Sequence, residues 1–399
     1  MSKLVAEREA ILIRLVPAEL RATEKRLIGQ LATVRSELAS LPKPSMVYVA
    51  TIHHGSGAFL GTGGKGGRPR DVLLLPRGDV SRVGPVVRPQ SLACLERLNP
   101  DLGQFSSSDA ERRAALATWL ADTDNPLTWR SMANRLWAYH FKRGIVETPN
   151  DFGRMGALPS HSELLDDLAI DLRDHQSLKR LHRAMVTSYA YQQTSQADSA
   201  ALDNDRSNVW LARSPRKRLE AEAIRDSMLA VAGLLRREMS GPSYQDFVIE
   251  HPEHSLHYEY RLHDPRDARS MRRSIYRLIV RSQTQPWMTS LDCADPSIQV
   301  DVRSQSSSAT QALSLLNNAM TLMAAEEWAE RHSHQSHNAG SEARLPSDDA
   351  SIVGKMFTDA LAREPTEEER SELEQLARAQ GLVAVARVVF NLNEFVYVD

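Results

Sequence analysis

The stretch Asn125–Ala169, "NPLTWRSMANRLWAYHFKRGIVETPNDFGRMGALPSHSELLDDLA", decides how the chain is read. Asparagine before proline marks a helix start. The Asn125 side chain can accept from the first exposed N–H groups, and Pro126 lacks an N–H that would go unbonded there. From Pro126 to about Phe141, Trp129, Met132, Ala133 and Leu136 recur at helical spacing and form an apolar stripe. Arg130 and Asn134 share a face, and Arg135 lies on a flank. Gly144 is placed to close this helix in the left-handed conformation. Ser160-His-Ser-Glu163 has the form of a capping box ahead of "LLDDLAIDL". Two amphipathic helices joined by a polar, glycine-bounded loop predict a body built from helical layers.

The same signals recur on both sides. Residues 1–41 read as a helical arm, with Leu27, Leu31, Val34 and Leu38 at the four-three-four spacing of a coiled-coil seam and Pro17 interrupting it. Residues 42–106 carry short β-like runs, "MVYVATI", "DVLLLPRG" and "VGPVVRP", around a glycine-rich loop. That loop is no phosphate cradle: Phe59 stands where a P-loop needs glycine, and Gly66 stands where Ser or Thr must follow Lys65. Residues 107–399 are mainly helical. Ser214-Pro215 predicts a long helix through about Leu235, and Thr366-Glu-Glu-Glu369 is a second capping box. A β-hairpin insert is expected near 245–282 and a polar linker near 333–349. The expected fold is mainly α, a multi-helix body with small β-hairpin elements and an N-terminal arm.

Composition narrows the function classes. Apolar residues at 42% and charged residues at 25% are ordinary globular values. The 49 Lys and Arg side chains face 51 Asp and Glu, a formal net charge of −2, which argues against a dedicated nucleic-acid binder. Cys94 and Cys293 stand far apart, so neither a disulfide framework nor a cysteine zinc site is expected, and without CxxCH no haem is attached. No apolar run reaches the roughly 20 residues of a membrane span. The N-terminus carries acids within its apolar pattern, unlike a secretory signal, so the chain reads as carrying no export address.

Several stretches could carry chemistry. In the opening segment, Arg130, Arg135 and Arg154 could bind a carboxylate or sulfate, with His140 or His161 as base and Asp151 as orienter. The competing account is that these arginines pair with Asp151, Glu163 and helix ends, because buried charges need such partners. His140 sits near a helix C-terminus, where the dipole favours its protonated form. In "RKRLEAEAIRD", Arg218, Glu222 and Asp226 are spaced for an i,i+4 ion-pair ladder. A di-metal bundle would instead want Glu-x-x-His, and Arg225 holds the histidine position. The histidines and acids of "EHPEHSLHYEY" and "RLHD", including His251, His254, His257 and His263, lack a fixed metal spacing and read as a solvated hairpin. His332, His334 and His337 read as surface. No GxSxG is present and neither cysteine adjoins a histidine, so nucleophilic catalysis has no pointer.

The segments "NPLTWRSMANRLWAYHFKRGIVETPNDFG", "RKRLEAEAIRD", "RRSIYRLIVRSQTQPWMTSLDCADPS", "TQALSLLNN" and "NLNEFVYVD", in this order, resemble the planctomycete-type domain of unknown function family 1553, from about Pro42 to Asp399. Lys142, Ser162 and Asp167 depart from it, standing where glycine, proline and tryptophan are common. The resemblance implies a C-terminal domain of a longer, exported protein, with a cytochrome-c-like region and a companion helical domain upstream. It implies no reaction. The expectation is therefore a binding or assembly module of an exported redox-linked or polysaccharide-handling system, with an upstream haem-type or companion helical partner and possible self-association through the arm. The competing expectation is a hydrolase or lyase acting on an anionic polysaccharide through the Arg/His/Asp set. Neither a cofactor nor a metal is expected in this chain.

Overall fold

The computed structural model describes residues 16–41, 71–104, 107–197, 199–251, 256–337 and 346–398, plus positions 7, 10, 11 and 13. The "MVYVATI" run, the glycine-rich loop, Glu253 and His254 lie outside the described residues. Fourteen α-helices and two two-stranded antiparallel sheets are formed among the described residues, so the protein is mainly α. The chain divides into a unit of residues 1–88 and a unit of residues 89–399.

In the first unit, helix α1 (Ala18–Ser40) begins directly after Pro17 and buries no residue. Leu27, Leu31, Val34 and Leu38 are all more than half exposed along it. The runs around Leu73 and Val86 pair through an antiparallel bridge, closed by a turn at Pro76–Gly78.

The second unit has two main cores. The first is made by α3 (Pro126–Phe141), α4 (Ser162–His175) and α5 (Leu178–Val186), which follow α2 (Asp109–Ala121). Asn125 caps α3 as expected, accepting from Leu127 N at 3.1 Å and Thr128 N at 3.4 Å. Ala133, Leu136, Trp137 and Phe141 pack inward against Leu165, Leu172, Leu181 and Met185. Helix α3 ends at Lys142, which takes a positive φ of 68°, rather than at Gly144. Gly144 serves another need: a Cβ there would meet Val146 O at 2.5 Å and the Asn134 amide at 2.8 Å. Helix α4 starts after His161 without a side-chain cap, because Ser160 hydrogen-bonds back to Ile145 O instead.

The second core gathers the remaining long helices. These are α7 (Ala221–Val231), α10 (Ala319–His337), α11 (Pro346–Leu361), α12 (Glu367–Gln380) and α13 (Leu382–Phe390), with the short α6 (Ser199–Asn204), α8 (Pro286–Ser290), α9 (Ala309–Asn317) and α14 (Asn393–Val396) completing the chain order. Trp328 is fully buried and stacks on Phe390 at 5.1 Å, with Met228, Met356 and Phe357 in the same cluster. Helix α7 starts later than Ser214-Pro215 suggests. The residues before it, β1 (Lys217–Arg218), pair with the chain's end, β4 (Tyr397–Val398), a partner about 180 positions away. The hairpin is short: β2 (Val248–Glu250) pairs with β3 (His257–Glu259), and a 3₁₀ turn follows. His332 is buried beside Trp328 and bonded to Asp359, not on the surface.

The capping box of α12 forms as expected and gains a further tie. Arg363 holds Glu369 through two bonds of 2.7 and 2.9 Å and also reaches Glu394 on α14. The Arg363 bonds hold the Glu369 carboxyl down at about 2 from an ordinary 4.5. A carboxyl depressed in the folded state lends stability that is complete above its unfolded pKa and is lost as pH falls through the folded one. Acid unfolding of Glu369→Gln should therefore lack a component that the parent shows between about pH 4.5 and 2. Parallel acid-titration curves for the two proteins would show that the tie contributes nothing.

Candidate functional site

Helix α3 presents Arg135 and Tyr139 at i and i+4, and Lys142 follows its last residue. That face forms a wall of an open cleft of about 1050 Å³. Residues from the segments 143–161, 195–220 and 294–305 contribute the rest of the lining. The last of these is anchored by the stretch "RKRLEAEAIRD", whose charged side chains do not form the expected intrahelical ladder. Arg218 bonds Asp292 at 2.7 Å, Glu222 bonds Arg303 at 2.6 Å, and Asp226 accepts from Ser274 N at 2.8 Å. Arg225 is buried and donates to Arg272 O and Ser270 O. The charged side chains of this stretch are thus distributed over separate loops and hold them in place.

The cleft has a distinct electrostatic character. Eight Arg or Lys side chains line it against four Asp or Glu, in a chain whose total is −2. Four of those cations bond to neutral oxygens. Arg135 donates to the Asn150 amide oxygen, Lys217 to Tyr139 O, Lys142 to Arg216 O at 3.3 Å, and Arg213 to the carbonyls of Asp205 and Arg206 at 3.2 and 2.9 Å. A carbonyl fixes where a cation sits without cancelling its charge, so positive potential is left facing the opening. Burial lowers the Lys217 pKa, with Glu220 opposing.

The six side chains singled out in the opening stretch are not gathered in one place. Arg135 and His161 line the cleft, whereas Arg130, His140, Asp151 and Arg154 are not among its lining residues. Arg130 is paired with Asp166 at 2.5 Å. Asp151 Oδ1 accepts from Gly153 N at 2.9 Å and shapes its own turn. Arg154 is exposed, and no side chain among the described residues partners it. His161 hydrogen-bonds Ser160 at 2.9 Å and sets its ring against Trp210. His140 shares a 2.7 Å hydrogen bond with His182. Burial, then His182 and Lys217, lower its pKa, the opposite direction from that expected of the helix dipole. Tyr139 and Lys142 lie in the opening stretch but are not among its candidates, and Arg213 and Lys217 lie outside it, their one sequence signal being the basic run Arg213-Ser-Pro-Arg-Lys-Arg218.

The Cys293 thiol lies 3.6 Å from the Glu222 carboxylate, and burial pushes its pKa up to about 11. It remains a protonated thiol, a weak nucleophile. Among the described residues no group of three or more His, Cys, Asp or Glu could hold a metal ion, and no helix is long and apolar enough to cross a membrane.

Fold and cleft together define a mainly helical protein with a cationic groove. A family model described as "Protein of unknown function (DUF1553)" matches residues 112–377, about two-thirds of the chain and the whole of the cleft lining. The chain belongs to that family. No match is found among curated proteins or among solved structures.

Proposed function

We propose that this chain is a binding or assembly module whose cleft receives an anionic ligand, in an exported, redox-linked or polysaccharide-handling system of the planctomycete type. The supporting observation is that Arg135, Lys142, Arg213 and Lys217 line one opening while bonded to neutral oxygens. Most other arginines in the body meet carboxylates, as Arg130, Arg218 and Arg363 do. Glu220 and Asp205 act on Lys217 and Arg213 without bonding them, and a ligand carrying negative charge would supply direct counter-ions. His161, the imidazole of the cleft, has a serine hydroxyl and an indole edge as its neighbours. No carboxylate among the described residues orients it, and this reading assigns no catalytic step.

The test is retention on a sulfated matrix followed by a salt gradient. The chain should bind at low ionic strength and elute as salt is raised, because exposed charges are screened over about 10 Å at 0.1 M. Passage straight through the column at low salt would rule the reading out. So would turnover of glycans, sulfated sugars or esters in a broad activity screen.

The assembly part rests on α1, whose apolar seam is exposed along its length. In this reading the seam pairs with a second helix, from another copy or from an upstream haem-type or companion helical partner. Light scattering should report a species heavier than 44.6 kDa, and Leu31→Glu with Leu38→Glu should return it to that mass. A monomer before the substitutions would remove self-association from the proposal.

A further inference from the structure

We infer that the cleft takes an acidic oligosaccharide, one bearing carboxylate or sulfate groups on spaced sugars, laid along α3 with a ring over Tyr139. This rests on the reading of the cleft as an anion site and goes beyond it by naming the ligand class. Three observations carry it.

The first is the spacing on α3. Arg135 lies on α3 and Lys142 directly follows its last residue, so their Cα atoms are separated by about 10 Å along the axis at 1.5 Å per residue, and both line the cleft. A single small anion cannot bridge that span. A chain whose acidic groups recur on alternate sugars can meet both cations at once.

The second is Tyr139, which stands between them. It is 58% exposed although its helix neighbours Trp137 and Phe141 are buried. A large aromatic ring held open at a groove wall, with a cation on either side, offers an apolar face to the C–H face of a sugar and a hydroxyl to its rim.

The third observation separates a glycan from a nucleic acid. The cleft carries four carboxylates among its eight cations, Glu147 and Asp301 among them. A polymer with a phosphate on every residue would set some phosphates against these carboxylates, whereas sugar hydroxyls are donors that carboxylates accept. Mixed signs suit a ligand that alternates acidic and neutral polar groups.

Lys142 adds a detail to the argument. Its backbone is held at φ 68°, a conformation that disfavours a side chain, and it keeps the lysine at the cleft wall. Glycine at this position relaxes the backbone and removes the cation. Stability and binding should therefore move in opposite directions in Lys142→Gly.

The experiment is titration calorimetry on the full chain with four probes: an oligogalacturonate, a chondroitin sulfate oligomer, a neutral dextran oligomer and single-stranded DNA of matched length. The expected result is binding of the oligogalacturonate or the sulfated oligomer, with no response to dextran and weaker binding of DNA. Tyr139→Ala and Arg135→Gln should each weaken the glycan about tenfold. Lys142→Gly should weaken it to a similar degree while melting no lower than the parent. Glycan binding unaffected by all three substitutions would place the ligand elsewhere and overturn the inference. DNA bound more tightly than either acidic glycan would overturn the inference while leaving the anion cleft standing. No response to any anion would overturn both.

Discussion

Arg218→Ala should lower the unfolding free energy by about 3–5 kcal/mol, the range for removing one partner of a buried ion pair. Arg218 is 5% exposed and sits in β1, bonded to the chain's C-terminal strand. Its guanidinium donates to Asp292 Oδ2 at 2.7 Å and to Ser306 O at 3.0 Å. Asp292 in turn accepts from Ser306 N at 2.8 Å and Gln311 Nε2 at 2.9 Å, and Gln311 closes the capping box of α9. One ion pair therefore joins the C-terminal strand, the turn before the 294–305 loop and the start of α9. Truncating Arg218 keeps the neutral donors of Asp292 but leaves its charge without a counter-ion. The remaining donors hold part of that charge, so the lower end of the range is the better expectation.

The pH dependence follows from the same geometry. Burial works to raise the Asp292 pKa, but the bonds from Ser306, Gln311 and Arg218 outweigh it and hold the carboxyl below 3.8. Its contribution is present above the unfolded value and declines as pH falls through the lower folded one. Urea unfolding of parent and Arg218→Ala at pH 7 measures the difference directly. A loss under about 1 kcal/mol would class the pair with exposed salt bridges, and the network would not be what holds these segments together.

What the sequence shows of this molecule depends on how local each determinant is. Asn125-Pro126 and Thr366–Glu369 announce helix starts because a cap and its recipient N–H groups lie within a few residues. The start of α7 is hidden because Lys217 and Arg218 answer to Tyr397 and Val398, which no window of sequence joins to them. Helical spacing holds for Glu222 and Asp226 on α7, yet each finds a better-placed partner in a loop, and Arg218 lies in β1, outside the helix, and pairs with Asp292. His332 follows the same rule. Its polar neighbours in sequence suggest surface, whereas its neighbours in space are Trp328 and Asp359. The cleft is the extreme case: its lining comes from three segments spread between residues 135 and 305. Arg135 and His161 attract notice as polar groups in a dense polar stretch. Tyr139 does not, because its exposure is a property of the assembled wall.

The turn after α3 yields the second large expectation: Asn134→Leu should cost about 2–5 kcal/mol. Asn134 is fully buried, and its amide faces one residue, donating to Val146 O at 2.9 Å and accepting from Val146 N at 2.8 Å. The side chain stands in for a neighbouring strand, satisfying both backbone groups of a residue that is itself 2% exposed. Leucine keeps the branched skeleton, with bulkier methyls, and leaves both groups unpaired, at about 1–3 kcal/mol each. Asn134→Asp makes the clamp sensitive to pH. As a carboxylate, aspartate keeps the acceptor for Val146 N but sets a charge against Val146 O, and as a carboxylic acid it can donate there. Its folded pKa should therefore lie above the unfolded value, so its stability is complete below the unfolded pKa and lost as pH rises through the folded one. The variant should unfold more easily at pH 7 than at pH 4, measured relative to the parent at each pH. Gly144→Ala strikes the same clamp from the other side, since its Cβ would press on the Asn134 amide and Val146 O. The double variant Asn134→Leu/Gly144→Ala should then lose less than the sum of the single losses, because the clamp is broken once. Strict additivity in urea unfolding would mean that the two residues act separately. The clamp would then not be what fixes the turn that carries Lys142 to the wall of the cleft.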